Sequence, residues 1–220
     1  MATVPIYSSP ESRQLTHQNT NHGASVTSSS EDITIRAPPG TNLWRMPSRN
    51  DYTAPTLYTK VPISKFKSAR VTVSSNWNTI YDQGGLVLFL NNRWVKADIE
   101  YVFEQPNVAT VATDRWSDWS LAPVPGVGDD YVKGDKVSAT LEVEREVLDG
   151  KKTSSLLVYK VDPKTRKRQL VRAVTWVFEE LNGDLSVGIY AAKPTHTVPE
   201  GPRQEELEVN FRDFEIKLFQ

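Results

Sequence analysis

From Ile33 onward, apolar and polar residues alternate along short segments that end at Gly, Pro, Asn or Asp. A period of two with many Val, Ile, Thr and aromatic residues is typical of β-strands with one buried face. No stretch of about 12 residues has a 3.6-residue apolar period, so no α-helix is predicted. The pattern predicts strands near residues 56–61, 69–75, 85–91, 94–103, 107–113, 137–147, 155–161, 169–178, 185–192 and 206–218.

The connections between these segments are mostly short. Asn91-Asn92 predicts a tight hairpin turn because Asn tolerates positive φ, and Asp149-Gly150 and Asn182-Gly183-Asp184 are further turn signals. Two longer connections, residues 120–136 and 193–205, are rich in Pro or Gly. Many strands with short turns and no helices predict an all-β sandwich or barrel.

Residues 1–30 differ from the rest because they are polar and almost free of large apolar groups. We predict a disordered tail there, followed by one domain over residues 31–220. The first residues lack the basic and apolar regions of a secretory signal, and the longest apolar run, Leu86–Leu90, is too short for a membrane span. We therefore expect a cytoplasmic protein.

Charge and composition exclude several kinds of partner. With 26 basic and 27 acidic residues, the chain gives no electrostatic reason to expect nucleic acid or an anionic membrane. It contains no Cys, which excludes disulfides and thiolate metal sites. His17 and His22 lie in the predicted tail, where a flexible chain does not fix the geometry of metal ligands. Asp129-Asp130 is expected to be solvated rather than to bind calcium. No metal or cofactor is predicted.

The strand predicted over residues 94–103 has one apolar face and one unusual polar face. The apolar face consists of Val95, Ala97, Ile99, Tyr101 and Phe103. The opposite face consists of Trp94, Lys96, Asp98 and Glu100. An aromatic group beside charged groups on a curved sheet suits a sugar, which stacks on the ring and offers hydroxyls to the charges. A solvated ladder of ion pairs, each contributing about 0–1 kcal/mol, is the alternative.

Two further places offer candidate binding residues. Arg172 is the cation in a largely apolar row of strand 169–178, so it either pairs with a carboxylate such as Glu100 or points at a ligand. Trp116 and Trp119 flank Asp118 in a predicted turn, and we expect one to pack in the core and the other to form a ligand platform.

Catalysis is the weaker interpretation. Asp98 and Glu100 lie two apart on one strand face, as paired glycosidase carboxylates can, and Glu100 is the weak catalytic candidate. Lys96 beside them is expected to favour their ionised forms, which works against a general acid. The sequence has no P-loop and no GxGxxG motif, and His196 in a loop is the sole candidate for a nucleophilic triad.

Five strings, in this order along residues 32–220, carry a family resemblance: Ala37–Arg45, Tyr81–Leu86, Trp94–Glu100, Ser117–Ser120 and Val187–Ala192. With them the chain resembles the fungal regulation-of-enolase protein family, whose function is unknown and whose fold is of the concanavalin A-like lectin/glucanase type. The resemblance implies a two-sheet antiparallel jelly-roll β-sandwich, a fungal cytoplasmic protein, and a link to carbohydrate metabolism through enolase. The Glu-x-Asp-x-Glu motif of laminarinase-like glucanases is absent at residues 98–104.

Three functions follow. The first, which we favour, is a non-catalytic binding or regulatory module whose concave face binds a carbohydrate or small polar ligand, or contacts enolase. The residues expected to form that site are Trp94, Lys96, Glu100, Asp118, Trp119 and Arg172. The second is an enzyme acting on a carbohydrate or sugar phosphate with Glu100 as acid/base. The third is an interaction protein whose polar column is only an ion-pair ladder.

Overall fold

The computed structural model of the chain describes residues 2–5, 15–20, 24–28, 32–128, 131–180, 182–195 and 205–220. The strands within them, in chain order, are β1 (Ala2–Pro5), β2 (Thr16–Gln18), β3 (Ser25–Ser28), β4 (Asp32–Ala37), β5 (Leu43–Met46), β6 (Arg49–Tyr52), β7 (Thr56–Pro62), β8 (Phe66–Asn76), β9 (Gln83–Leu90), β10 (Arg93–Val102), β11 (Gln105–Thr113), β12 (Ser117–Pro123), β13 (Lys136–Leu148), β14 (Lys151–Val161), β15 (Arg168–Val174), β16 (Asp184–Ala192) and β17 (Leu207–Leu218). A single 3₁₀ turn, Ile63–Lys65, is the only helical segment described.

The strands form two antiparallel sheets that pack as a sandwich, as the sequence predicts. The eight-stranded sheet has the order β15-β14-β13-β8-β17-β4-β3, and β1 also pairs with β17. The seven-stranded sheet has the order β12-β11-β10-β9-β16-β7-β2. A separate hairpin, β5-β6, lies outside both sheets.

Strand alternation accounts for the core between the sheets. Val95, Ala97 and Ile99 of β10 belong to the same buried cluster as Val73 of β8 and Leu141 of β13, which come from the opposite sheet. Because successive side chains point to opposite faces, every second residue of β10 faces away from this core. We call the opposite side of the seven-stranded sheet its outer face.

Each predicted strand overlaps an observed one, and the predicted turns at Asn91 (φ 53°), Asp149 (φ 49°) and Gly183 (φ 92°) are confirmed. Strand 169–178 is too long as predicted, because β15 ends at Val174. Phe103 was predicted to face the core; it lies instead in a turn after β10 with a φ of 54°.

Four strands of the domain were not predicted, namely β4, β5, β6 and β12. The short strands β5 and β6 contain Arg, Asn and Asp, which are depleted from strands in general. The edge strand β12 is held by its main-chain pairing to β11 and has a weakly alternating sequence.

The N-terminal segment, for which we predict a disordered tail, forms three strands where the structure describes it. Two of them, β2 and β3, lie at sheet edges beside β7 and β4, and β1 pairs with β17. Main-chain hydrogen bonds hold an edge strand with few apolar side chains, so a polar composition does not exclude one. The domain boundary at residue 30 stays a prediction.

Some sequence features lie outside the described residues, namely His22, Asp129, Asp130 and His196. In the described part of the chain, no three Asp, Glu or His side chains are grouped so that they could hold a metal ion. No helix there has the length and hydropathy needed to cross a bilayer.

Candidate ligand cleft on the outer face

The strand register brings part of the predicted site together. Gln83 of β9 lies directly opposite Glu100 of β10, while Lys96 lies opposite Val111 of β11, which in turn lies opposite Trp119 of β12. Directly paired residues share a face of the sheet. Trp119, Gln83 and the polar column of β10 therefore belong to one outer surface.

This surface is covered rather than open to solvent. The four column residues Trp94, Lys96, Asp98 and Glu100 are all buried, and the prediction of a solvent-exposed column is wrong. The cover is a second apolar cluster in which Leu43 and Ala54, from the segment that carries the β5-β6 hairpin, pack against the outer face. That segment was not predicted to be structured, so its position could not be anticipated.

Trp94 is part of this cover and not a ligand platform. The Arg45 guanidinium lies 4.3 Å from the centre of the indole, and the Tyr52 ring meets it edge-on at 5.9 Å. With Arg45 over the ring and a side chain that is only 1% exposed, the indole offers no free surface on which a sugar could stack. Trp94 stabilises the hairpin and is removed from the candidate site.

Lys96 is also removed from direct ligand contact, because it ends in a buried polar network. Its Nζ donates a hydrogen bond to Gln83 Oε1 at 2.5 Å and lies 5.3 Å from the centre of the Tyr190 ring. The Tyr190 hydroxyl is 3.0 Å from the same Gln83 oxygen and 2.5 Å from Asp98 Oδ2.

Asp98 is buried in this network. The Tyr190 hydroxyl has one proton to donate, and it contacts two acceptor oxygens, Asp98 Oδ2 and Gln83 Oε1. Asp98 Oδ1 has no partner among the described residues, which would be very costly for a buried carboxylate. Consistently, burial raises the pKa of Asp98, although Lys96 and Tyr190 act in the opposite direction.

Glu100 is the member of the column that reaches solvent. It is 6% exposed and lies in the wall of a cavity of about 400 Å³, which we call the Glu100 cleft. The cleft is lined by Asn42, Trp44, Arg49, Tyr81, Gln83, Glu100, Trp119, Pro194 and Thr195. Three of these side chains are aromatic, and Glu100 is the only carboxylate among them.

Trp119 fixes the orientation of the Glu100 carboxyl group. The indole Nε1–H donates to Glu100 Oε2 at 2.9 Å, and no described residue donates to Oε1. Burial and the neighbouring Asp98 raise the pKa of Glu100 to about 7, and Lys96 and the Trp119 hydrogen bond only partly offset them. Lys96 favours the ionised form, as expected, but burial outweighs it, so the expectation that this carboxyl does not have a raised pKa is wrong.

A buried ion pair lies next to the cleft residues Tyr81 and Pro194. Lys193 Nζ lies 3.1 Å from Asp82 Oδ1, with both side chains buried, and it also donates to Thr79 Oγ1 at 3.0 Å. The neighbouring Tyr81 is 42% exposed and has a φ of 68°, a strained conformation for an aromatic residue. The ion pair thus anchors the 79–82 turn that places Tyr81 in the cleft.

Asp118 and Arg172 do not belong to the site. Asp118 lies opposite Ala112, on the other face of β12 from Trp119. Its carboxylate pairs at 2.6 Å with Arg172, which also donates to Ser120 Oγ at 3.0 Å. The pair therefore links β12 and β15, the edge strands of the two sheets. Arg172 does have a carboxylate partner, as one alternative foresaw, but that partner is not Glu100.

Several cleft residues were not predicted from the sequence, notably Trp44, Arg49, Gln83 and Thr195. Trp44 and Gln83 do occur in the strings that carry the family resemblance, which was the available signal. Gly85 is required by a close backbone approach, because a Cβ there would lie 2.3 Å from the carbonyl oxygen of Ala97.

Fold and site together define a concanavalin A-like β-sandwich with an aromatic-lined cleft on its outer face. The chain belongs to a family described as "Protein of unknown function (DUF1349)", which matches residues 19–218. An uncharacterized protein of Emericella nidulans, AN7484, is 43% identical over 171 residues, covering 74% of this chain and 78% of that protein.

Solved structures support the same fold. A functionally unknown protein from Saccharomyces cerevisiae matches with a TM-score of 0.72 at 22% identity, covering 94% of this chain and 97% of that one. The laminarinase catalytic domain of Thermotoga maritima matches with a TM-score of 0.57 at 10% identity, covering 100% and 97%. At these identities the likeness establishes the lectin/glucanase-type jelly roll and nothing about activity.

Proposed function

We propose that the Glu100 cleft binds a carbohydrate and that the protein is a non-catalytic binding or regulatory module. The observation that carries this proposal is the Glu100 carboxyl group, held by the Trp119 indole in a cleft whose walls also include Tyr81 and Trp44. Sugars are recognised by aromatic faces that cover their C–H groups and by few, fixed polar groups that bind their hydroxyls.

The polar groups of the cleft are preorganised by the protein. The Gln83 amide donates to the Tyr81 carbonyl at 3.1 Å, and the Asn42 amide donates to Asp51 at 3.1 Å. Glu100 Oε1 is left to accept from a ligand, and Arg49, which pairs with Asp51 on the cleft wall, adds a cation. A small set of polar groups fixed before binding reduces the entropy lost when a ligand binds.

Tyr81→Ala is expected to weaken the binding of a gluco-oligosaccharide by about tenfold, because it removes one stacking face. Isothermal titration calorimetry on both proteins measures this. Trp116→Ala is the matched control, since Trp116 is an exposed aromatic residue that does not line the cleft. Equal losses of affinity in the two variants would place the sugar outside the cleft. If mono- and oligosaccharides give neither binding heat nor a shift in melting temperature, carbohydrate binding is refuted.

An enzyme acting on a carbohydrate is the second candidate, because a carboxyl group with a pKa of about 7 suits general acid/base catalysis at neutral pH. Glycoside hydrolysis ordinarily requires a second carboxylate near the scissile bond. Asp98 is inaccessible behind the cleft wall, so it does not fill that role. Release of reducing sugar that is lost in Glu100→Gln, with ligand affinity retained, would favour the enzyme over the binding module.

Contact with enolase and a cytoplasmic location, both implied by the family resemblance, stay predictions. The burial of Trp94 and Lys96 means that an enolase surface cannot use them directly. The exposed cleft wall around Tyr81 is the part of the expected site that a protein partner could reach. Retention of purified enolase by the wild-type protein but not by Tyr81→Ala would support such a contact.

A further inference from the structure

A second depression of about 950 Å³ adjoins the Glu100 cleft. We call it the Phe103 groove; it is lined on one side by Tyr101, Phe103, Tyr131 and Lys133. Its lining also includes Tyr81 and Trp119, which line the Glu100 cleft as well. The two cavities therefore share a wall made of two aromatic side chains.

The two-residue turn that contains Phe103 does not require an aromatic side chain at this position. The Phe103 side chain is 75% exposed, the highest value among the large apolar residues that the structure describes. Phe103 and Glu104 have φ values of 54° and 62°, and bulky side chains rarely adopt this left-handed conformation. The turn between β10 and β11 could use Gly or Asn at lower cost. An exposed aromatic residue in a strained turn is typical of a binding surface.

The chemistry of the groove resembles that of the cleft. Tyr101 and Tyr131 form a ring pair with centroids 6.5 Å apart, and the Tyr131 hydroxyl is anchored by donation to the Trp77 carbonyl at 2.7 Å. Among the described residues that line the groove, the two charged side chains, Glu104 and Lys133, are of opposite sign. A neutral polyhydroxylated chain would meet aromatic surfaces in both cavities.

We propose that the Phe103 groove continues the Glu100 cleft, and that the ligand is an oligosaccharide chain whose distal sugar units stack on Phe103. This inference rests on the proposed function of the cleft and adds to it the length of the ligand. One end of the chain lies at Glu100 and Trp119, and the chain passes over Tyr81 into the groove. The dimensions favour this assignment, since the cleft of about 400 Å³ is at the small end of ligand sites and the groove is more than twice as large.

The test is calorimetry with gluco-oligosaccharides of increasing length, from the disaccharide to the hexasaccharide, in β-1,3- and β-1,4-linked series. In the wild-type protein the affinity is expected to rise by about tenfold or more with length in at least one series. In Phe103→Ala this gain is expected to disappear while the disaccharide affinity is unchanged. Trp116→Ala, an exposed aromatic control outside both cavities, is expected to keep the gain.

The possible failures can be told apart. If the disaccharide binds but affinity does not increase with oligosaccharide length, the extension into the groove is overturned and the cleft proposal stays in place. An increase of affinity with length that survives in Phe103→Ala also overturns the extension. Absence of binding at every length overturns the proposed function itself. Phe103→Ala is expected to fold normally because the side chain is exposed, and circular dichroism verifies this.

Discussion

Replacement of Lys193 by Met is expected to lower the free energy of unfolding by about 3–5 kcal/mol at neutral pH. Lys193 and Asp82 form an ion pair in which both side chains are buried, and the variant leaves the Asp82 carboxylate buried without its cation. Burial raises the pKa of Asp82, while Lys193 acts to lower it, so the loss of the cation disfavours the ionised group further. Urea denaturation of both proteins measures the difference.

The same variant is expected to weaken the cleft, because the ion pair anchors the turn that holds Tyr81. Lys151→Met is the matched control, since Lys151 is an exposed lysine on β14 and its loss should change stability by no more than about 0.5 kcal/mol. The double variant Asp82→Asn/Lys193→Met should recover part of the lost stability. A loss below about 1 kcal/mol in Lys193→Met would show that the pair does not stabilise this end of the sheet.

Replacement of Glu100 by Gln is expected to make the protein relatively more stable as the pH rises. The pKa of Glu100 is about 7 in the folded protein and 4.5 without the protein environment. The folded state therefore retains this proton to higher pH than the unfolded state does. The stability associated with the protonated carboxyl is fully present below about pH 4.5 and is lost as the pH rises through about 7. The Gln side chain has no such loss.

The measurement is the free energy of unfolding of the wild-type protein and the variant at several pH values between about 4.5 and 8. The difference between them is expected to move by about 3 kcal/mol in favour of the variant across this range. Carboxyl groups distant from this site titrate in both proteins and cancel, so the comparison reports Glu100 together with its interaction with Asp98. A difference that stays constant with pH would mean that the pKa of Glu100 is not raised. Glu104→Gln, in an exposed turn, is the control.

Much of the sandwich could be predicted because its long strands alternate cleanly between apolar and polar residues. The core face of β10, with Val95, Ala97 and Ile99, follows from the alternation of side chains along the strand alone. Strand alternation gave the wrong face for Phe103 because a two-residue turn begins there. The sequence does not show where the pairing of β10 with β11 stops. The edge strand β12 was missed because its main-chain hydrogen bonds, rather than its side chains, hold it in place.

The site was predicted only in part. The face on which Trp94, Lys96 and Glu100 lie was correct, but periodicity assigns a face to a side chain and does not tell what covers that face. The cover comes from a segment some 50 positions earlier in the chain, around Leu43 and Tyr52. Burial excludes Trp94 and Lys96 as ligand residues and, together with Asp98, raises the pKa of Glu100. Such an effect depends on tertiary packing that no local pattern encodes.

The most direct test of the central claim is the indole N–H resonance of Trp119, followed by nuclear magnetic resonance during titration with a gluco-oligosaccharide. This proton is donated to the Glu100 carboxylate inside the cleft, so it reports on any ligand that reaches Glu100. Carbohydrate binding in the cleft predicts a saturable shift of the Trp119 resonance, while the resonance of the exposed Trp116 outside the cleft stays in place. A Trp119 resonance that does not move at the highest soluble sugar concentration, in a protein shown to be folded, would contradict the account.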